Sequence, residues 1–251
     1  MKKLLLASTC ALACAAVAVP ALADGIAATG QGTYGNIAGH TTWTADGSVN
    51  LPLDWYSGLS VEGNVGDRGF SSIHVFDAGG SVIWTDPDFR LAGSVLYNDL
   101  TSGGSSIDAT QFGAGAEWYF NPWLTASARG GAIAGKVHGG YFGGTVKWYV
   151  MPDLAVDGFI DYTDLAHKAP GAVLVNETNY GAHVEWLPME DIPVTVGANY
   201  TRVHLAPGST DTDTWFLAIK FYFNDSPATT LVDRQRTGTL DTISPTFHFL
   251  R

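Results

Sequence analysis

The chain has 251 residues, with 24 acidic and 13 basic side chains and a formal net charge of −11 at pH 7. A charge of that sign disfavours nucleic acid and anionic membrane surfaces as partners. Hydrophobic residues make up 46% of the sequence and 30 residues are glycine, but beyond the N-terminal segment no apolar run reaches the roughly 18 residues that a membrane-spanning helix requires.

The N-terminal segment has the features of a secretory signal peptide. Lys2 and Lys3 form a charged start, residues 4–19 form an apolar run, and Ala-Leu-Ala at 21–23 offers a small-residue cleavage site. A transmembrane anchor is disfavoured because the run is short and a cleavage site follows it. A lipoprotein anchored at Cys14 is disfavoured because apolar sequence continues beyond the cysteine. We therefore expect cleavage after residue 23 and export.

Export changes the composition of what remains. Both cysteines, Cys10 and Cys14, lie in the signal peptide, so the mature chain has none and cannot form disulfides. Loss of two lysines leaves 11 basic against 24 acidic residues, a net charge of −13. An exported chain that is apolar and rich in glycine, without an apolar helix, is typical of a β-barrel in an outer membrane.

The mature sequence alternates between apolar and polar residues with a period of two, which indicates β-strands. In 110–120, for example, Phe112 and Trp118 share one face while Glu117 lies on the other. The predicted fold is all-β, a transmembrane antiparallel up-and-down β-barrel of about 12 strands; ten remain possible because glycines blur the period in 24–84. The predicted strands cover 33–43, 48–53, 58–66, 72–84, 89–98, 109–120, 123–133, 141–150, 153–163, 177–187, 192–203 and 213–223.

Two kinds of connection alternate between these strands. Short ones with aromatic residues or proline occupy 54–57, 85–88, 121–122, 151–153 and 188–191. Longer polar ones occupy 100–108, 134–140, 165–176 and 205–213. Bacterial membrane barrels alternate short periplasmic turns with longer outer loops, whereas a soluble β-sandwich has no reason to sort its loops in this way. The pattern therefore favours a membrane barrel over an exported soluble sandwich.

Aromatic residues concentrate beside the short connections. Tryptophan and tyrosine prefer the membrane–water interface, where the ring is buried and its polar atom stays hydrated. Ordinary core packing would instead scatter them along the strands. We therefore predict a girdle at the periplasmic end of the barrel. Its members are Trp55, Trp84, Trp118, Trp123, Trp148, Trp186, Phe221 and Phe223.

The signal peptide, the alternating strands, the aromatics beside the turns and the stretch WFLAIKFYF together resemble the porin-like outer-membrane β-barrels of Gram-negative bacteria. The resemblance implies a location in the cell outer membrane and contact with its lipid. Trp215–Phe223 resembles the closing strand that the barrel-assembly machinery reads, although here it is internal rather than terminal. We therefore expect a signal peptide (1–23), a barrel (24–223) and a periplasmic extension (224–251). The extension is either an anchor or partial plug, or a loosely docked tail.

If the apolar face meets lipid, strand parity assigns charged side chains to the lumen, because they would cost several kcal/mol on the lipid face. The lining is of mixed sign. It comprises Glu62, Arg90, Glu117, Arg129, Lys147, Asp157, Asp161, His183, Glu185 and Lys220.

Neighbouring strands should pair some of these charges. Lys147 and Asp157 flank one turn symmetrically, so we expect a cross-strand ion pair, and Glu117 could bridge to Arg129 on the next strand. Further acids fall in the predicted loops, which favours cations and neutral solutes at the mouth. They are Asp99, Asp108, Asp164, Asp211 and Asp213.

The sequence predicts no catalytic, cofactor or metal site. Ser72 and His74 lie two apart on one strand, and Glu185 could orient His183, but neither pair completes a nucleophile, base and acid at recognisable spacing. There is no His-x-His motif, no cysteine in the mature chain and no Asp-rich loop that would bind a metal. We therefore expect a protein that is not an enzyme.

Three functions are compatible with these features. The first is a passive diffusion pore for small neutral or cationic hydrophilic solutes. The second is a plugged structural or surface-interaction barrel without transport, and the third is a lipid-modifying outer-membrane enzyme. Twelve strands enclose a lumen of intermediate width, and its openness depends on the groups that fill it. The candidates for filling it are Arg90, Arg129, Tyr149, Phe159 and residues 24–32.

Overall fold

The computed structural model describes residues 26–37, 39–53, 58–71, 73–167, 175–189, 192–206, 210–224 and 230–237. These residues form twelve β-strands and one short α-helix, α1 (Leu231–Thr237). The strands are β1 (Ala27–Ile37), β2 (His40–Pro52), β3 (Leu59–Phe70), β4 (Ile73–Asp86), β5 (Phe89–Ser102), β6 (Ser105–Asn121), β7 (Leu124–Gly135), β8 (Val137–Met151), β9 (Leu154–His167), β10 (Val175–Trp186), β11 (Val194–Ala206) and β12 (Thr210–Asn224).

Each strand pairs with its neighbours in sequence, and the first pairs with the last. β1 and β12 are antiparallel, with Ala27 opposite Asn224 and Ile37 opposite Thr214. The sheet is therefore a closed, antiparallel up-and-down barrel without a free edge. This confirms the predicted all-β barrel of twelve strands. None of the described helices is long and apolar enough to cross a membrane.

The bounds predicted for the first two strands, 33–43 and 48–53, are wrong. β1 ends at Ile37 and β2 begins at His40, both inside the first of these ranges, and Gly39 has φ 86°. Glycines and threonines make both faces of this hairpin look alike in sequence, so the alternation does not fix its bounds. Residues 27–32, a candidate for filling the lumen, instead begin β1; residues 24 and 25 lie outside the described residues.

The predicted contrast between short and long connections is wrong at two of the four long ones, while the connections at 168–174 and 207–209 lie outside the described residues. The stretches 100–108 and 134–140 belong mostly to strands, which are joined there by residues 103–104 and by Lys136 alone. Gly103 and Gly104 both have positive φ, which suits a two-residue hairpin turn. The polar residues of these stretches are strand residues that extend beyond the apolar part of the wall.

Outward-facing side chains form an apolar belt that begins and ends at aromatic residues. On β5 the belt runs from Phe89 to Tyr97 and on β12 from Phe223 to Trp215, nine residues in each case. A strand that crosses a bilayer needs about 9–11 residues. The belt is therefore as tall as a hydrocarbon layer, and its outward side chains, such as Leu217 at 68% exposure, have no protein to pack against in the described structure.

Beyond the belt, the outward faces become charged. The end of the barrel that carries the turns at 87–88, 122–123 and 152–153 is called the aromatic end below, and the opposite end the charged end. Charged and titratable residues on the outer surface of the charged end are Asp67, His74, Asp99, Asp108, Lys136, Asp164, Arg202, His204, Asp211 and Asp213. The predicted loop acids thus lie on strand ends and face outward from the wall.

The interior is largely polar, but an apolar cluster lies near the charged end. Val75, Ala109, Ile133 and Leu165 are buried there and pack with partly buried neighbours that include Tyr141. This cluster follows the wall from β3 to β9 and fills that side of the barrel. Open space inside the barrel therefore lies towards the other strands.

Candidate functional site

The predicted girdle residues that the structure describes lie on the outer surface of the aromatic end. Trp84, Trp118, Trp123, Trp148 and Trp186 are each 43–56% exposed. Phe221 and Phe223 are stacked on the same surface with ring centroids 6.3 Å apart. Trp55 lies outside the described residues.

The ten charged residues assigned to the lumen all lie on the inward-facing sides of their strands, and they meet in several groups. Near the aromatic end, Arg90 on β5 binds Glu117 on β6, with Nη2 2.7 Å and Nε 3.0 Å from the same carboxylate oxygen. Tyr119 donates to that oxygen at 3.2 Å. Glu62 and Lys220 are also inward and are 5% and 6% exposed.

A second group lies halfway along the barrel. Arg129 on β7 donates to Asp161 on β9 through Nε at 3.0 Å and Nη2 at 2.6 Å. β8 lies between these strands, and Gly143 on it leaves the space that the Asp161 carboxylate occupies. The sequence suggested that Glu117 pairs with Arg129. In the structure, Arg129 instead pairs with Asp161 across β8, and Glu117 pairs with Arg90.

A third group combines Lys147, Asp157 and His183. Lys147 and Asp157 are opposite one another in the β8–β9 register, as their spacing from the turn predicted. Asp157 also contacts His183 Nδ1 at 3.1 Å, and Lys147 donates to Gln235 at 3.0 Å. The sequence suggested that Glu185 orients His183. In the structure, His183 is instead oriented by Asp157 on the neighbouring strand.

Sequence reasoning missed a fourth group near the charged end. Arg68 on β3 lies 3.2 Å from Asp46 on β2 and 2.9 Å from Asp77 on β4. Arg68 and Asp77 are almost fully buried, whereas Asp46 is about one-third exposed. The predicted third strand ends at residue 66, which leaves Arg68 in a loop. Extending the period-2 pattern by four residues through the glycines would have placed it in the interior.

A cavity of about 180 Å³ runs between these groups. Most inward side chains on β11, β12, β1 and β2 are small or uncharged and leave this space, which is enough for roughly a dozen waters. Charged groups of both signs and two phenylalanines border it. The main ones are Arg68, Arg129, Lys147, Lys220, Asp46, Asp157, Glu185, His183, Phe159 and Phe216.

The aromatic end of the barrel is crossed by α1. Thr230 caps the helix: its hydroxyl accepts from the Asp233 backbone N–H at 3.1 Å and donates to the Asp233 carboxylate at 2.7 Å, an arrangement close to a capping box. Leu231 is fully buried with Tyr149, Leu187 and other apolar residues of the barrel floor. Residues 230–237 of the extension therefore form an element that is seated in the barrel.

Gln235 is the centre of the helix's contacts. Its Oε1 accepts from Lys147 Nζ at 3.0 Å and from Tyr149 Oη at 2.8 Å. Its Nε2 donates to Glu185 at 2.7 Å, and its carbonyl oxygen accepts from Arg90 Nη2 at 2.8 Å. A buried amide with both ends satisfied specifies one position of the helix.

Arg236 fixes the helix to β6 and β7. Its guanidinium lies 4.7 Å from the centre of the Tyr119 ring and 5.7 Å from that of Tyr149. It also donates to the carbonyl oxygen of Asn121 at 2.7 Å and to Thr125 at 3.2 Å. These are charge-assisted and cation–π contacts, which are strong where water is excluded.

Within the described ranges, no group of three His, Cys, Asp or Glu residues could hold a metal ion. His74 lies on the outer surface with a 60% exposed side chain, and Ser72 lies outside the described residues. The interior offers a polar cavity with charges of both signs and a helix across one mouth.

Comparisons with known proteins bear on the fold. No protein-family model matches the chain, and no curated protein does. Among solved structures, the KdgM porin aligns with a TM-score of 0.56 at 8% identity, covering 77% of this chain and 98% of the porin. The NanC porin aligns with a TM-score of 0.56 at 9% identity, covering 76% and 98%. The KdgM porin in complex with disordered oligogalacturonate gives 0.52 at 6% identity, covering 77% and 98%. The chain therefore has the fold of porin-like outer-membrane β-barrels.

Proposed function

We propose that the protein is an outer-membrane pore through which small hydrophilic solutes diffuse passively. The observation that carries this proposal is the combination of a polar, cavity-containing interior with an outer apolar belt nine residues tall. A structural barrel without transport would have no need of that cavity, whereas a diffusion path needs a hydrated, polar lining. The protein is exported in this proposal, and the aromatic end faces the periplasm.

The negative charge of the protein supports a preference for neutral and cationic solutes. The chain carries a net charge of −11, and acids outnumber bases on the outer surface of the charged end. A negative potential at that entrance raises the local concentration of cations and disfavours anions. The pore therefore passes neutral and cationic solutes in preference to anionic ones.

Planar-bilayer recording of the refolded mature chain tests the proposal. Stepwise channel openings are expected, with a reversal potential on the cation side in a salt gradient. The control is the same preparation after heat unfolding. Absence of openings from protein that shows the heat-modifiable gel migration of a folded barrel would exclude a pore.

The seating of α1 favours a second candidate, a plugged barrel that works through its surface. In that case liposomes containing the full chain would not swell in neutral sugars. Swelling would appear only when the interior is opened, for example by Arg129→Ala together with Asp161→Ala. Swelling with the unmodified chain would exclude the plugged barrel.

Assembly of the barrel completes the proposal. β12 carries the pattern of a closing strand at Trp215–Phe223 and pairs with β1. We infer that the barrel-assembly machinery recognises this internal strand. The residues after it then lie on the periplasmic side and fold back as α1.

A further inference from the structure

We propose that α1 is the constriction of this pore and the element that sets its ion preference. The C-terminal segment folds back into the aromatic end and narrows the pore there, as a loop folded into a barrel would. Arg234 and Arg236 would be its selectivity-determining residues. The inference rests on the proposed pore function and deepens it.

The position of α1 supports a constriction. α1 contacts strands on both sides of the barrel: β5 through Arg90, β8 through Tyr149, β10 through Glu185 and β12 through Tyr222. Arg236 adds β6 and β7 through the carbonyl of Asn121 and the hydroxyl of Thr125. A seven-residue helix that binds both sides of a ring of strands must cross the opening between them. A solute that leaves the cavity at this end has to pass α1.

The charges that α1 brings to the aromatic end support a role in ion preference. A smaller space of about 20 Å³ separates α1 from β5–β8, and the charged groups around it are Arg90, Lys147, Arg236 and Glu117. Arg234 is buried at the same mouth, whereas Asp233 is exposed on the side away from the barrel. Docking of α1 therefore adds two guanidinium groups to the mouth and leaves its only acid outside. An added positive charge at a narrow point opposes cations.

The wall of the barrel closes without α1. β12 ends at Asn224 and is paired along its length with β1 and β11. Residues 225–229, which lie outside the described residues, connect it to the helix. A chain that ends at Thr229 keeps all twelve paired strands, so removal of α1 tests the constriction and not the barrel.

Conductance and reversal potential in a potassium chloride gradient test the proposal. The variants are the chain ending at Thr229 and Arg236→Gln, which keeps a hydrogen-bond donor but removes the charge. The matched control is Arg202→Gln, an arginine on the outer surface of the charged end. Truncation should raise the conductance at least about twofold and shift the reversal potential towards potassium. Arg236→Gln should shift the potential in the same direction and by more than Arg202→Gln, whose exposed charge is screened by salt at the entrance.

Equal conductance and equal reversal potential for the truncated and full chains would overturn the constriction. A full chain that is silent beside a truncated chain that conducts would show that α1 plugs the barrel, and would overturn its role as the ion-selecting constriction of an open pore. Silence of both chains would overturn the pore, and a second measurement then decides the role of α1.

That second measurement is thiol labelling at Thr145, which borders both the main cavity and the smaller space beside α1. The mature chain has no cysteine, so Thr145→Cys provides a single thiol. Cationic and anionic methanethiosulfonate reagents of similar size are applied from the aromatic end. Truncation should increase the cationic rate about tenfold, and more than the anionic rate. Unchanged rates for both reagents would overturn the proposal whether or not the barrel conducts.

Discussion

Gly143 shows how one residue can fix a buried ion pair. The carboxylate of Asp161 fills the space that a side chain at 143 would need, and it is held there by Arg129. Gly143→Ala should displace the carboxylate and leave two charges badly paired in a buried place. We expect a loss of about 3 kcal/mol in the free energy of unfolding, measured by urea titration in lipid vesicles.

The matched control for this change is Gly93→Ala. Gly93 also lies within a strand, but a Cβ there meets no atom within 4 Å. Because alanine restricts the unfolded chain, Gly93→Ala should be neutral or stabilising by up to about 1 kcal/mol. If the two substitutions change the free energy of unfolding equally, the Arg129–Asp161 pair contributes nothing measurable to stability.

Strand parity places individual residues well and their partners poorly. It puts Arg129 and Asp161 on the inward side because a period of two depends only on local sequence. It cannot tell that Arg129 reaches over β8, since that depends on a glycine in another strand and on the relative height of the side chains. Arg68 was missed for a related reason: glycines beside it remove the apolar signal on which parity rests.

At the scale of elements, α1 depends on its cap, because seven residues form too short a helix to be stable alone. Thr230→Ala removes the bond to the Asp233 N–H and should cost about 1 kcal/mol of helix stability. Amide hydrogen exchange of residues 233–237 should accelerate about fivefold. Unchanged exchange would mean that contacts with the barrel alone hold the helix.

Thr237→Ala is the control for that prediction. Thr237 is exposed at the other end of α1, and its hydroxyl donates to the Asp233 carbonyl at 2.7 Å. A side chain that bonds back to the preceding turn does not stabilise a helix. Exchange in α1 should therefore stay the same or slow down in this variant.

The helix itself was beyond sequence reasoning. The capping pattern Thr-x-x-Asp is present at 230–233, but such a pattern is too common to predict a helix by itself. The period-2 pattern ends with β12, and a helix of two turns has too little periodicity to detect. Both a plug and a loose tail are compatible with the sequence, whereas the position of the helix depends on Gln235, whose partners come from distant strands.

At the scale of the whole molecule, the number of strands and their antiparallel order were predictable, because the alternation repeats along the chain. The lengths of the strands were not. Strands of up to 17 residues exceed what a bilayer requires, and the excess is polar and outward-facing at the charged end. Polar residues of this kind are typical of loops, and so the predicted connections are longer than the observed ones.

The height of the belt leads to a prediction about the molecule in its membrane. Val95 faces outward near the middle of the belt on β5, and Thr101 faces outward on the same strand beyond it. Val95→Lys should destabilise the barrel by about 2–4 kcal/mol in lipid vesicles, because the charge enters the hydrocarbon layer. Thr101→Lys, at the level of the charged end, should cost at most about 1 kcal/mol. Urea unfolding followed by tryptophan fluorescence measures both, and equal costs at the two positions would show that the belt between Phe89 and Tyr97 is not where the membrane lies.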